Sequence, residues 1–159
     1  MHNLKISNLS AAPDLHGDAA RILHDAFAAL GNPTWPDLDS AQRELRDCLR
    51  EDFICFGALA DGRLIGWGGM RPMYGWTTCE LHPLVVDPGH QGRGLGRRLL
   101  AALEEAAGAR GARGVVLGTD DQTGSTTAAA CRRPAEIADA ITRGIHQLPE
   151  RPAHPAAFY

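Results

Sequence analysis

From Leu84 to Leu100 the chain reads LVVDPGHQGRGLGRRLL, and these residue types suit one task above others, the holding of a phosphate. A hydrophobic run ends at Val86, a turn dense in glycine follows, and apolar residues then recur at helical spacing. Glycines let a backbone come close to a ligand and aim several N–H groups at one point. The N-terminus of the following helix adds about half a positive charge there. Arg93, Arg97 and Arg98 can add guanidinium groups, whose fork matches phosphate oxygens. Two nucleotide motifs fail on spacing. A P-loop needs a lysine after its glycines, and Lys5 is the only lysine in the chain. A dinucleotide fingerprint needs G-x-G-x-x-G after the first strand. Gly92, Gly94 and Gly96 read G-x-G-x-G, after the fourth probable strand.

Carboxylates supply the second kind of chemistry. Glu80 lies in a strand-like stretch just before the glycine turn, where a carboxylate is a candidate for proton transfer. The competing reading is a solvated strand residue, and the apolar neighbours Leu81 and Leu84 weigh against it. His82 stands two residues on. It is a candidate second base, although a His-Pro pair inside a strand is as easily structural. Asp120 and Asp121 follow a short apolar stretch, at the sheet edge where α/β ligands bind. Adjacent carboxylates suit a ligand with several ammonium groups, although Thr119, Asp120 and Asp121 are also turn formers. Cys48, Cys55, Cys79 and Cys131 are scattered without metal-ligand spacing, so neither a metal nor a disulfide framework is expected. Cys79 lacks the His-Asp arrangement of an acyl-enzyme nucleophile and reads as a buried thiol. Trp35, Trp67, Tyr74 and Trp76 are candidates for a sugar-facing wall, with Trp67 and Trp76 placed between core and rim.

These groups need a scaffold. A strand is expected at Leu4–Ser7. Leu15, Ala19, Ile22, Leu23, Ala26, Phe27 and Leu30 form a helical stripe, capped by Asp14 and stopped at Gly31-Asn32-Pro33. A second helix carries Ala41, Leu45, Cys48 and Leu49, with Asp39 or Ser40 as its cap. Phe53–Ala60 and Leu64–Met70 read as strands joined by an Asp61-Gly62 hairpin turn. Glycines in the latter suggest bulges or close backbone approach. Trp76–Val86 reads as a long strand bent or splayed at Pro83, which cannot donate to a ladder. Leu95, Leu99, Leu100, Leu103, Ala106 and Ala107 make an amphipathic helix, and Val115–Leu117 a short buried strand. Ser125–Ala130 is small and polar, Ala135–His146 is weakly helical, and the end is rich in proline. This order predicts an α/β (α+β) fold with a mixed sheet in one domain over residues 1–159.

The chain of 159 residues is 44% hydrophobic and 22% charged, enough to bury a core. Sixteen cations against nineteen anions leave a net charge of −3, which opposes nucleic-acid binding and permits a cationic partner. Most of the fifteen arginines are read as genomic bias rather than phosphate ligands. No apolar run approaches the ~18 residues of a membrane span, and no secretory signal opens the chain, so a cytoplasmic protein without membrane contact is expected.

Gln91, Gly94 and Gly96, preceded by Val85-Val86-Asp87-Pro88, resemble the Q/R-x-x-G-x-G/A acyl-CoA signature of the GNAT superfamily of N-acetyltransferases. The resemblance sharpens at Glu80–Val86, Leu117–Asp121 and the segment His154-Pro155-Ala156-Ala157-Phe158-Tyr159, which together look like the aminoglycoside 6′-N-acetyltransferases. It implies acetyl-CoA as acyl donor, with the amides of Gln91, Gly92, Arg93, Gly94, Leu95 and Gly96, aided by Arg97, on the pyrophosphate. It also implies that Leu84, Val85 and Val86 at a splayed strand pair with the pantetheine arm. Glu80 would bind the substrate amine and help deprotonate it. His82, Asp120 and Asp121 would bind a polycationic substrate, and Tyr159 would protonate the departing thiolate. Members transfer acetyl directly within a ternary complex and are often homodimers. They also continue past the position of Tyr159 with further strands, so the fold is expected to lack its C-terminal part.

Overall fold

The computed structural model describes residues 4–73 and 75–118, and the segments expected at Ser125–Ala130 and Ala135–His146 lie outside them. Strand β1 (Leu4–Asn8) leads through two 3₁₀ turns to helices α1 (His16–Ala28) and α2 (Leu38–Cys48). Strands β2 (Ile54–Ala60), β3 (Arg63–Pro72) and β4 (Thr78–Val86) follow, then helix α3 (Leu95–Ala109) and strand β5 (Gly114–Val116). The sheet order is β1-β2-β3-β4-β5; the first four strands are antiparallel and β5 runs parallel to β4. The expected mixed α/β architecture is the observed one.

Local chemistry accounts for the boundaries, with three departures from expectation. Asp14 does not cap α1: it lies inside a 3₁₀ turn, and the N-cap position falls on Leu15, which makes no side-chain cap bond. Helix α2 is capped by Asp37 rather than Asp39 or Ser40. The Asp37 carboxylate accepts the Ser40 amide at 2.7 Å, and Ser40 Oγ accepts the Asp37 amide at 3.4 Å, so Ser40 completes a capping box instead of starting the helix. Leu30 overshoots the stripe and is exposed, because α1 ends at Ala28 and the chain turns away through Gly31 at φ +67°. The Asp61-Gly62 hairpin carries positive φ at both residues, the requirement of a type I′ turn.

Two apolar layers cover the sheet. On one face α1 and α2 pack Ile22, Leu23, Leu45 and Cys48 over Cys55, Leu64, Trp67 and Val85. On the other, α3 packs Leu99 and Leu103 over Ile54, Ala58, Ile65, Met70 and Leu81. Trp67 is fully buried rather than at the rim. Its indole N–H donates to the Ala19 carbonyl at 2.8 Å, which satisfies its one polar atom and ties β3 to α1. Val116 is exposed, so β5 is only partly the buried strand expected.

The expected bulges are present, and they decide which side chains share a face. Between Gly68 and Met70 the β3–β4 register slips: Gly68 faces Leu84 while Met70 faces Leu81, which leaves His82 and Pro83 opposite Gly69 alone. Side chains alternate along a strand, so one extra residue reverses the alternation. Cys79 and Leu81 point to the α3 face before the bulge, and Leu84 and Val86 pack on that face after it. Close backbone approach explains the glycines here. A Cβ on Gly69 would lie 2.9 Å from the His82 carbonyl oxygen, and one on Gly66 2.8 Å from that of Val85.

Candidate functional site

Glu80 and His82 lie on the α1/α2 face of β4, just before the bulge. Arg71 stands directly opposite Glu80 across the β3–β4 ladder, and its Nε donates to Glu80 Oε2 at 2.7 Å. That bond holds the Arg71 guanidinium above its ordinary pKa, with burial opposing and the Glu80 charge adding. His82 Nε2 lies 3.2 Å from Glu44 Oε1, a carboxylate that helix α2 turns inward between Ala41 and Cys48. The hydrogen bond from His82 chiefly holds the Glu44 carboxyl below its usual range, against the opposing effect of burial. Trp35 is buried edge-on against Phe27, ring centroids 4.4 Å apart, and its indole leans over the His82 ring at 6.1 Å. The structure thus gathers Glu80 and His82 and adds three partners, Glu44, Arg71 and Trp35.

Trp35 was among the aromatic candidates; Glu44 and Arg71 were not. Glu44 left a trace in the sequence, since it follows Ala41 by three and precedes Cys48 by four, on the edge of the buried stripe. Arg71 left none, because only the β3–β4 register sets it against Glu80. Trp76 is partly buried beneath the Arg110 guanidinium, 4.6 Å from its ring centroid. Tyr74, Asp120, Asp121, Cys131 and Tyr159 lie outside the described residues.

Past the bulge comes the stretch assigned to an acyl donor. Strand β5 accompanies β4 only from Thr78 to Glu80. From Leu81 to Val86, β4 therefore has no strand on that side among the described residues. The turn that follows is tightly organised. Asp87 Oδ1 accepts the Gly89 amide at 2.9 Å and sits 3.1 Å from His90 Nδ1, and these bonds hold its carboxyl below the ordinary range. Gln91 Nε2 donates to the Val86 carbonyl at 3.0 Å, so the Gln91 side chain braces the turn.

Gly92 at φ +72° and Gly94 at φ +75° adopt the left-handed conformation, and a Cβ at either would meet no atom within 4 Å among the described residues. Gly94 is the N-cap of α3 and offers no side-chain cap, which leaves the first-turn amides for another acceptor. Arg93, Arg97 and Arg98 are exposed around it, while Leu95 is buried and anchors the helix start. Gly96 sits 3.9 Å, measured to a Cβ placed on it, from Leu84 of β4. Uncapped first-turn amides beside a strand edge that has no neighbour among the described residues suit an elongated pyrophosphate ligand such as CoA.

Covalent catalysis by the thiols has no support. Cys48, Cys55 and Cys79 are buried, and burial raises each thiol, Cys55 to about 12. Among the described residues no three His, Cys, Asp or Glu side chains gather as metal ligands. No helix of these residues is long and apolar enough to cross a membrane.

Comparison with known proteins agrees with this geometry. An aminoglycoside 6′-N-acetyltransferase solved in complex with coenzyme A superposes with a TM-score of 0.78 at 31% identity, covering 98% of this chain and 81% of that one. The N-alpha-acetyltransferase RimI of Mycobacterium tuberculosis is 39% identical over 94 residues, 57% of this chain and 56% of its own. The aminoglycoside N(6′)-acetyltransferase type 1 of Stenotrophomonas maltophilia is 33% identical over 88 residues, 50% of this chain and 58% of its own. The chain spans less than two thirds of the length of these two curated relatives. Residues 19–131, which hold both helices of one layer, the bulged strand and the glycine turn, match the acetyltransferase (GNAT) family. The chain belongs to the acetyltransferase (GNAT) family, whose acyl donor is acetyl-CoA.

Proposed function

We propose that the chain transfers acetyl from acetyl-CoA to the 6′-amine of an aminoglycoside, directly and within a ternary complex. The observation that carries this reading is the likeness to the CoA-bound aminoglycoside 6′-N-acetyltransferase over nearly the whole chain. Local geometry supports it. Glu80 offers a carboxylate to an ammonium at the point where β5 ends its pairing with β4, so an amine held there lies beside the strand edge that follows. In this reading the amides from Gln91 to Gly96, with Arg97, hold the pyrophosphate, and Leu84 to Val86 hold the pantetheine arm. A main-chain amide near Val85 polarises the thioester carbonyl. Asp120 and Asp121 bind the polycation, and Tyr159 protonates the thiolate. The whole chain acts as one cytoplasmic domain, as a homodimer, and confers aminoglycoside resistance.

A second reading has its own support: RimI, named for α-amino acetylation, is the more identical of the two curated relatives. One experiment separates them. The protein is incubated with acetyl-CoA and either paired aminoglycosides with and without a 6′-amine, or peptides with free N-termini, and products are read by mass spectrometry. Acetylation confined to the 6′-amino drugs is expected. Acetylation of peptides alone would replace the aminoglycoside reading with the second one.

A further inference from the structure

Glu80 has a strong partner already. Its Oε2 accepts a charge-assisted bond from Arg71 at 2.7 Å, which commits one of the two carboxylate oxygens. The neighbouring imidazole is differently equipped. His82 Nε2 faces Glu44 Oε1 at 3.2 Å, which makes Nε2 the protonated nitrogen and leaves Nδ1 as the ring's acceptor. Both side chains are screened but not sealed, with Glu44 21% and His82 33% exposed. Glu44 departs from the rest of its helix. Gln42, Arg43, Arg46 and Asp47 are exposed, whereas Glu44 turns to the sheet, where the Cys48 thiol also faces it at 3.7 Å. The His82 ring also meets Trp35, which is locked against Phe27 and whose side chain hydrogen-bonds Glu44 as well. The ring thus has two partners that also contact each other, an acid from α2 and an indole from the α1–α2 connection, at the residue where the bulge begins.

We propose that Glu44 is a positioning residue that fixes the His82 imidazole as the proton acceptor for the substrate amine, with Glu80 orienting the ammonium. This inference rests on the acetyltransferase reading above, whichever amine is the substrate. The ammonium gives one proton to His82 Nδ1, and the neutral nitrogen attacks the thioester carbon. The carbon–nitrogen bond forms as the carbon–sulfur bond breaks, the sulfur takes its proton from the phenol assigned above and leaves as CoA thiol, the second nitrogen proton replaces it on that phenol, and the imidazolium returns its proton to water. Glu44 stays ionised throughout and stabilises the imidazolium, as the carboxylate of an acid–histidine pair does.

Two measurements test this. In the resting protein, without any substrate, the His82 Nε2–H should be protected enough from exchange to appear in a ¹⁵N–¹H correlation spectrum, and should vanish in Glu44→Ala. Its absence from the wild type would overturn the pair, independently of which amine is acetylated. With the amine identified by the product screen, Glu44→Ala should lower kcat by roughly 10- to 100-fold with little change in KM for amine or acetyl-CoA. In a His82→Asn background the same change should do almost nothing further, because the two residues act as one unit. Unchanged kcat, or a rise in amine KM alone, would make Glu44 a tether or an ammonium ligand and overturn the proposal. Glu44→Gln, which keeps the side chain's size, serves if the alanine variant loses stability. Failure of the screen to yield any acetylated amine would defeat the proposed function, while the spectrum still decides the Glu44–His82 pair.

Discussion

At the scale of single residues the glycine turn carries the clearest consequence. Gly94 combines a left-handed φ, an open surface and the N-cap of a helix whose first amides lack a capping side chain. A side chain at this position would both strain the backbone and occupy the space an anion needs. Gly94→Asp adds a negative charge as well, so CoA affinity should fall by at least 10-fold. Titration calorimetry with CoA would show this, and an unchanged dissociation constant would remove Gly94 from the pyrophosphate site. The Gln91 side chain is committed to the Val86 carbonyl, which leaves to a ligand only its main chain, the part that the resemblance assigns to the pyrophosphate.

At the scale of elements, the bulge in β4 organises both halves of the site. Before it, Glu80 and His82 face α2; after it, Val85 turns to the α1/α2 core while Leu84 and Val86 turn to α3. Gly69 is the single β3 residue opposite His82 and Pro83, and it is walled by the His82 carbonyl oxygen and by Cys48. Gly69→Ala should therefore force β3 from the bulge and cost about 1–3 kcal/mol of stability, the range for overpacking. Urea unfolding checks the figure, and a variant as stable as wild type would show that the bulge tolerates movement. Proline at 83 announced the break; the register slip was not legible, since it depends on how two distant segments pair.

For the molecule as a whole, three carboxylates, one capping α2, one within it and one in the glycine turn, share one direction of shift. Asp37 is lowered by its bonds from Ser40, Glu44 by its bond from His82, and Asp87 by its bond from His90. A carboxyl whose folded pKa lies below its unfolded value stabilises the fold above the ordinary carboxylate range, near pH 4. That contribution disappears as pH falls through the lower folded values, because the unfolded chain takes up protons first. Tm should hold from neutral pH down to about pH 5 and then drop steeply toward pH 3. A scanning calorimetry series with a flat Tm across that lower interval would contradict the assignment of these bonds.

Helix and strand identities, the hairpin turn, the glycine turn and the positions of Glu80 and His82 could all be read from the sequence, because each depends on periodicity or on residues adjacent in the chain. Caps were misplaced by two or three residues, since any of Asp37, Asp39 and Ser40 has the chemistry to cap and backbone geometry chooses among them. The burial of Trp67, the Arg71–Glu80 pair and the Glu44–His82 pair belong to tertiary structure alone. Each joins residues from elements whose relative placement is set by register and by packing across the sheet. A sequence lists the groups capable of such contacts, and only the folded chain, by bringing α2 onto the bulged face of β4, selects which of them meet.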